Sequence, residues 1–308
     1  MPKTPRIAVL GSINMDLVVR CAKLPMPGET LLAESSSEIC GGKGANQAVA
    51  AARVGGDVHM IGRVGSDAFA DRLVENLRNE RIDCSNVQTT GNSSSGLAIV
   101  GVEESGQNSI MVVPGANGEL SLEDVEKARP AIESADVLLV QLEVPVDTVL
   151  ASIQVAQKAG VKVILDPAPA PMDVPEPLLE VDLLCPNESE AEALTGVHVK
   201  SETDAIQAAA KLQSCGAKSV VITMGDQGAL LLDEAGNQMV NPFPVQAIDT
   251  TAAGDAFAGA VAVSWAQGRP LHEAIRFGNA AGALAASRMG AQPGMGTREE
   301  IEKLLETQ

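Results

Sequence analysis

Residues 137–166 read VLLVQLEVPVDTVLASIQVAQKAGVKVILD. The run Val137–Leu142 is apolar at almost every position. Between 146 and 159, Val146, Val149, Leu150 and Ile153 recur at helical spacing, and Gly160 closes the segment. A second apolar run, Val161–Asp166, follows. Strand, helix, strand, with strands that do not alternate polar and apolar, is the pattern of a parallel sheet covered on both faces. The pattern extends outward in both directions. Strands are expected at Arg6–Ser12, Val58–Val64, Asp182–Pro186 and Ser219–Met224. Helices are expected at Ala45–Val54, Asp67–Arg81, 121–133, 189–195 and 203–215. A late hairpin (Leu230–Asp233 with Gln238–Pro244), helices Ala253–Gln267 and Leu271–Arg288, and a short terminal helix complete an α/β chain.

Two stretches break the alternation. Asp16–Ala22 and Glu29–Ile39 are strand-like and flank the turn LPMPGE, and Gly96–Glu103 and Ser109–Pro114 read as a hairpin around EESGQN. Together they suit a small second sheet made from two insertions. Such a sheet needs a cover, as a lid or as an interface between two copies.

The totals fit this picture. The chain has 308 residues, room for two domains or one large one with an insertion. Apolar residues make up 45% but aromatics only 2%, so Ala, Val, Leu and Ile must pack the core. A net charge of -18 repels nucleic acid and anionic membrane surfaces and excludes both as partners. An anionic substrate would need local devices: helix N-termini, a lysine, bound cations. Five cysteines with no CxxC pair, no signal peptide and no long apolar run lead to the expectation of a soluble cytoplasmic protein.

The chemistry concentrates where strands end. In IDTTAAGDAFAGA, Ile248–Ala260, the residues Ala252, Ala253 and Gly254 carry almost no bulk. A helix starting there would offer free N–H groups and the positive end of its dipole to an anion. Asp255 in its first turn suits a hydroxyl that loses a proton as it attacks phosphorus. The competing reading makes Asp249 or Asp255 a helix cap. CGGKGAN, 40–46, lacks the Gly six residues before Lys43 that a Walker loop needs, since Ser37 stands there. Its glycines still allow close approach to a ligand, with Lys43 and Asn46 in reach. GSINMD ends the first strand and puts Asn14 and Asp16 on one strand face, where they can read sugar hydroxyls or form an Asx turn. Glu143 ends another buried run. In PNESE, Asn187 and Glu190 face one side of a helix start, and Glu190 can favour the dipole or hold magnesium. TMGDQG, 223–228, is a turn able to cradle phosphate or ribose. His59, His198 and His272 have no metal-ligand spacing.

In this order and spacing, GSINMD, GGKGANQAVAAARVG, PNESEAEALTG, VVITMGDQGA and IDTTAAGDAFAGA closely resemble the ribokinase family of carbohydrate kinases, and the resemblance continues to GAQPG at 290–294. It implies a three-layer α/β/α domain with a mostly parallel central sheet and a small β-sheet lid. The body would take residues 1–12, 40–94 and 116–308, and the lid 13–39 and 95–115. It implies transfer of the ATP γ-phosphate to a sugar hydroxyl, with Asp255 as base and Ala252, Ala253 and Gly254 as the anion hole. Sugar would be bound by Asn14, Asp16, Gly42, Lys43, Asn46, Glu143 and Asp255. Asn187, Thr223, Met224, Gly225, Asp226, Gln227, Gly228, Gly254 and Asn279 would line the nucleotide site. Glu190 would act near Mg2+ through water. Potassium would sit among Asp249, Thr251, Ala285, Arg288, Gly290 and Gly294. Gly294 stands where some relatives carry a side-chain oxygen, so a water or carbonyl would replace that ligand.

D-ribose is the expected substrate and ATP the co-substrate, with a homodimer formed through the lid. Deoxyribose or a ketohexose is the alternative within the same chemistry. A nucleoside fits less well, because the sugar motifs contain no aromatic residue to stack a base. A non-catalytic sugar-binding protein would need an export signal or a DNA-binding head. A nicotinamide dehydrogenase would need three glycines where GSINMD has one.

Overall fold

The computed structural model describes residues 4–103, 108–171 and 174–307. Among the described residues the central sheet has nine strands. In chain order they are β1 (Arg6–Leu10), β4 (Asp57–Val64), β5 (Asp83–Thr89), β8 (Val137–Val140), β9 (Lys162–Leu165), β10 (Leu183–Leu184), β11 (Ser219–Thr223), β12 (Ala229–Asp233) and β13 (Gly236–Val240). Across the sheet the order is β13-β12-β11-β10-β9-β8-β1-β4-β5. From β11 to β5 all neighbours are parallel, and the β12–β13 hairpin adds an antiparallel edge.

Successive side chains of a strand point to opposite faces, and here both faces are covered. Ile7 and Val9, with Val137 and Leu139, belong to one core, shared with α1 (Lys43–Arg53), α7 (Ala253–Ala266) and α8 (Leu271–Ala286). Ala8 and Leu10, with Leu138 and Val140, belong to the other, under α3 (Leu122–Glu133), α4 (Val146–Ala159) and α6 (Glu202–Ser214). That is why the strands read as unbroken apolar runs. The remaining helices are α2 (Ala70–Asn79), α5 (Glu188–Thr195), α9 (Ala291–Gly294) and α10 (Arg298–Glu306).

The smaller sheet contains β2 (Asn14–Cys21), β3 (Ser35–Gly41), β6 (Gly96–Glu103) and β7 (Asn108–Val113), in the order β3-β2-β6-β7. Two antiparallel pairs meet at a parallel one, β2 with β6, in which Asn14 lies opposite Gly96. The turn expected around EESGQN falls at 104–107, outside the described residues.

Two expectations are corrected. The strand expected from Glu29 begins at Ser35, because Leu32 is 96% exposed and faces no sheet. Strand β5 was not anticipated. Its sequence DCSNVQT has little apolar content, and pairing with β4 at the sheet edge makes it a strand. No helix among the described residues is long and apolar enough to cross a membrane.

Candidate active site

The carboxyl ends of β1 and β8 and the N-termini of α1 and α7 converge beneath the small sheet. Between them lies a cleft of about 750 Å³. Asn14, Asp16, Gly42, Lys43, Asn46, Glu143 and Asp255, named separately in the sequence, all line it. So do Asp249, Thr251, Ala252 and Gly290. A smaller pocket of about 50 Å³ adjoins it and is lined by Asn187, Glu190, Thr223 and Gly254, together with Asp166 and Phe257. Lys43 lines both and marks their junction.

Gly42 shows why this corner needs glycine. Its φ is 89°, and a Cβ there would lie 2.7 Å from the Asn14 backbone nitrogen. The turn therefore brings the first residues of α1 against the end of β1. The Ser12 hydroxyl donates to Glu143 (2.5 Å), and the Lys43 N–H donates to the same carboxylate (3.2 Å).

Asp255 lies in the first turn of α7 and is 5% exposed. Its Oδ2 accepts from Asn46 Nδ2 (3.0 Å) and its Oδ1 from Gln47 Nε2 (3.1 Å), while Lys43 Nζ stands 4.0 Å away. The partners are themselves fixed. Gln292 Nε2 donates to Asn46 Oδ1 (3.0 Å), and Gln47 Nε2 also donates to Asp166 Oδ2 (2.7 Å). Ala252 caps α7 in the left-handed region (φ 59°), a conformation that costs a non-glycine residue about 1–2 kcal/mol. Of the three amides expected in the anion hole, the Ala253 N–H turns back to the Thr250 carbonyl (3.2 Å), which leaves Ala252 and Gly254 as the amides with no such turn bond. A Cβ on Gly254 would meet nothing within 4 Å, so the helix start is open.

Lys43 faces several carboxylates. Burial lowers its pKa, but Asp166, Asp255, Glu143 and Glu190 together raise it well above the ordinary lysine value, so it stays charged. Burial, then Glu143 and Asp255, push Asp16 up to about 7. Burial likewise raises Asp166 to about 7 against the opposing pull of Lys43, which lies 3.7 Å away.

Asn187 and Glu190 form a capping box at the start of α5. Asn187 Oδ1 accepts the Glu190 N–H (2.9 Å), and Glu190 Oε2 accepts the Asn187 N–H (2.9 Å). Glu190 thus caps the helix, and it also lines the small pocket. Among the described residues no group of three or more His, Cys, Asp or Glu side chains could hold a metal unaided. Glu190 and Asp166 are hard oxygen donors suited to a magnesium ion that keeps waters and takes its other ligands from phosphate.

The expected potassium residues also come together. Asp249 Oδ2 accepts the Gly290 N–H (2.9 Å) and Oδ1 the Thr251 N–H (3.0 Å). A Cβ on Gly294 would lie 3.1 Å from the Ala285 carbonyl oxygen and 3.5 Å from that of Arg288. Burial pushes the Asp249 carboxyl up, but the Thr251 side chain, then those two N–H donors and Arg20, hold it below the usual range.

The 223–228 turn lies at the end of β11 and lines neither pocket beyond Thr223. Met224 is buried in the core rather than facing a ligand. Asn279 donates to the Val240 and Asn241 carbonyls (3.1 and 3.0 Å), which ties α8 to the end of β13. Sequence reasoning missed Asp166, Gln47, Asn117 and Gln292. Asp166 ends a strand as Glu143 does, so the same signal could have found it.

A family model described as pfkB family carbohydrate kinase matches residues 4–298. The chain is similar to the ribokinase of Haemophilus influenzae, 42% identical over 97% of this chain and 98% of that one. Among solved structures it is similar to the ribokinase of Thermotoga maritima, at a TM-score of 0.89 and 37% identity over 98% and 99% of the two chains. It is also similar to Arabidopsis thaliana ribokinase, solved in complex with ribose and ATP, at a TM-score of 0.90 and 34% identity over 99% of each. With the three-layer body, the small sheet over the cleft and a match along nearly the whole sequence, the chain belongs to the pfkB family of carbohydrate kinases and is a ribokinase-type phosphotransferase.

Proposed function

We propose that the protein phosphorylates D-ribose at its 5-hydroxyl with ATP. The observation that carries this reading is the convergence of the seven sugar-set residues on one cleft, with Asp255 buried at the open start of α7. The sugar oxygen attacks the γ-phosphorus in line. As the new O–P bond forms, the bond from that phosphorus to the bridging oxygen breaks, ADP leaves and Asp255 takes the hydroxyl proton. Bonding to the nucleophile is late in such reactions, so positioning and charge stabilisation dominate. The Ala252 and Gly254 amides and the α7 dipole face the migrating group, with Ala253 completing the turn. Asn46 and Gln47 hold both oxygens of the base in place.

Asn187, Thr223 and Gly254 would hold the nucleotide phosphates, with Gly225, Asp226, Gln227, Gly228 and Asn279 beyond them. Bound through water at Glu190, Mg2+ would neutralise phosphate charge. Potassium at the Asp249 loop would fix the segment that carries Ala252. The exposed apolar residues of β7, Ile110, Met111, Val112 and Val113, support a homodimer formed through the lid. Five free cysteines support a cytoplasmic setting.

The test is ADP release with a panel of pentoses and ketohexoses, with and without potassium. Ribose is expected to give the highest kcat/KM, and Asp255→Asn should lower kcat by about 10²–10⁴. A higher kcat/KM for deoxyribose or a ketohexose reassigns the substrate. Full turnover by the Asn variant removes Asp255 as base.

A further inference from the structure

We propose that Asn117 is a specificity-determining positioning residue: it fixes the amide of Asn14 so that Asn14 offers the sugar a hydrogen-bond donor and not an acceptor. The inference rests on the reading that the cleft holds a sugar.

Asn117 lies just beyond the lid, in the single-turn helix Gly115–Glu119, and is 1% exposed. Its Oδ1 accepts the Ile13 backbone N–H at 2.9 Å. A backbone N–H can only donate, so this bond settles which end of the Asn117 amide is oxygen. Nδ2 must then be the atom that reaches the Ile13 carbonyl at 3.2 Å, and a carbonyl can only accept, which agrees. The same Nδ2 lies 2.7 Å from the Asn14 side chain. The Asn14 atom that meets it has to be an acceptor, hence Oδ1. The polarity of the backbone at Ile13 is thereby passed through Asn117 to Asn14. Asn14 lines the cleft, and among the described residues no hydrogen bond uses its Nδ2. That NH₂ group is left for a ligand oxygen.

Gly96 supplies a second, independent observation. It lies opposite Asn14 in the lid, and a Cβ there would fall 2.1 Å from both Asn117 Nδ2 and Asn14 Oδ1. The absence of a side chain at 96 makes room for the amide pair. The pair also ties the segment entering the lid at Ile13–Asn14 to the one leaving it after Val113. A sugar hydroxyl facing Asn14 is therefore read through its lone pair. Its proton is left for an acceptor such as the nearby carboxylates.

The experiment uses the full chain. In Asn117→Asp the new carboxylate can still accept the Ile13 N–H but has no proton for Asn14 Oδ1. The Asn14 amide should turn over to donate to it and present oxygen to the cleft. Sugar KM should rise about 10–100-fold, with kcat within about threefold and ATP KM unchanged, a difference in binding worth about 1.4 kcal/mol per tenfold. Asn14→Asp should give the same pattern across a panel of ribose analogues each lacking one hydroxyl, although only residue 14 touches the sugar. Side-chain amide proton exchange, read without any sugar, reports the orientation directly. In the wild type the Asn117 NH₂ protons should be better protected than those of Asn14, which have no partner in the protein among the described residues; in Asn117→Asp the protection of the Asn14 protons should rise. Asn14 protons as well protected as those of Asn117 in the wild type and unchanged in Asn117→Asp, or unchanged sugar KM and analogue discrimination in Asn117→Asp, overturn the proposal. A fall in kcat together with a rise in both KM values would assign Asn117 a merely structural role and overturn it too. Failure of the wild type to phosphorylate any sugar would count against the proposed function, while the exchange measurement would still decide the amide orientation.

Discussion

The cleft position of Asp16 comes at a cost to stability. Its carboxyl is pushed from 3.8 to about 7, chiefly by burial and then by Glu143 and Asp255. The folded state therefore holds the proton more tightly than the unfolded chain. The stabilisation is complete below about 4 and is lost as pH rises to about 7. Asp166, also raised to about 7, works in the same window. The free energy of unfolding of the ligand-free protein should fall between pH 4 and 7 and then level off. Asp16→Asn should flatten that slope and be more stable than wild type at pH 8 by about 1–2 kcal/mol, a figure reduced for partial exposure. Ribose should protect the wild type and not the variant. Urea denaturation from pH 4.5 to 8 checks this, and parallel curves for the two proteins would contradict it. The pocket-facing polar residues named from motifs were legible because each sits in or beside a short motif where an apolar run ends or a helix opens. Gln47, Asn117 and Gln292 were not. Each acts through a partner more than a hundred positions away, and no local pattern carries that information.

Helix α7 explains the small residues around Asp255 at the level of elements. A Cβ on Gly259 would lie 2.6 Å from the Gln47 carbonyl oxygen and 2.7 Å from the Ala50 Cβ, so α1 and α7 pack almost backbone to backbone. That closeness lets Asn46 and Gln47 on one helix reach Asp255 on the other. Gly259→Ala should push the helices apart, cost about 1–3 kcal/mol of stability by overpacking, and lower kcat well below the loss expected from unfolding alone. Thermal melting and kinetics well below the melting temperature separate the two effects; unchanged kcat in a destabilised protein would show that turnover does not depend on the packing that places Asp255. The alternation of strands and helices was legible because buried parallel strands and amphipathic helices have distinct periods. Strand β5 was hidden because a polar edge strand owes its conformation to its neighbour. The segment 29–34 misled for the opposite reason: it has strand-like composition, but among the described residues only its last N–H, that of Glu34, reaches β2, at the Arg20 carbonyl (2.8 Å).

At the scale of the whole molecule, the lid holds more apolar surface than one sugar can cover. Val18, Val100, Val102, Ile110 and Val112 all line the cleft, and Ile110 and Val112 are 54% and 47% exposed. Ribose presents hydroxyls, which these side chains cannot satisfy. A second lid laid across the first would bury them and close the rim of the cleft. With a net charge of -18 the two copies repel at long range, so their association should strengthen with salt as screening shortens that repulsion. The wild type should sediment as a dimer at micromolar concentration, more fully at about 0.3 M salt than at low salt. Replacing Ile110 and Val112 together by Glu should give a monomer with a melting temperature close to that of the wild type, since an exposed edge strand contributes little to the core. Sugar KM should rise in that variant while the ATP KM holds, because the lid lines the cleft proposed for the sugar and not the smaller pocket proposed for the nucleotide. A wild type that sediments as a monomer at every concentration and salt would remove the dimer, and unaltered sugar KM in the monomeric variant would leave the second lid with no part in substrate binding.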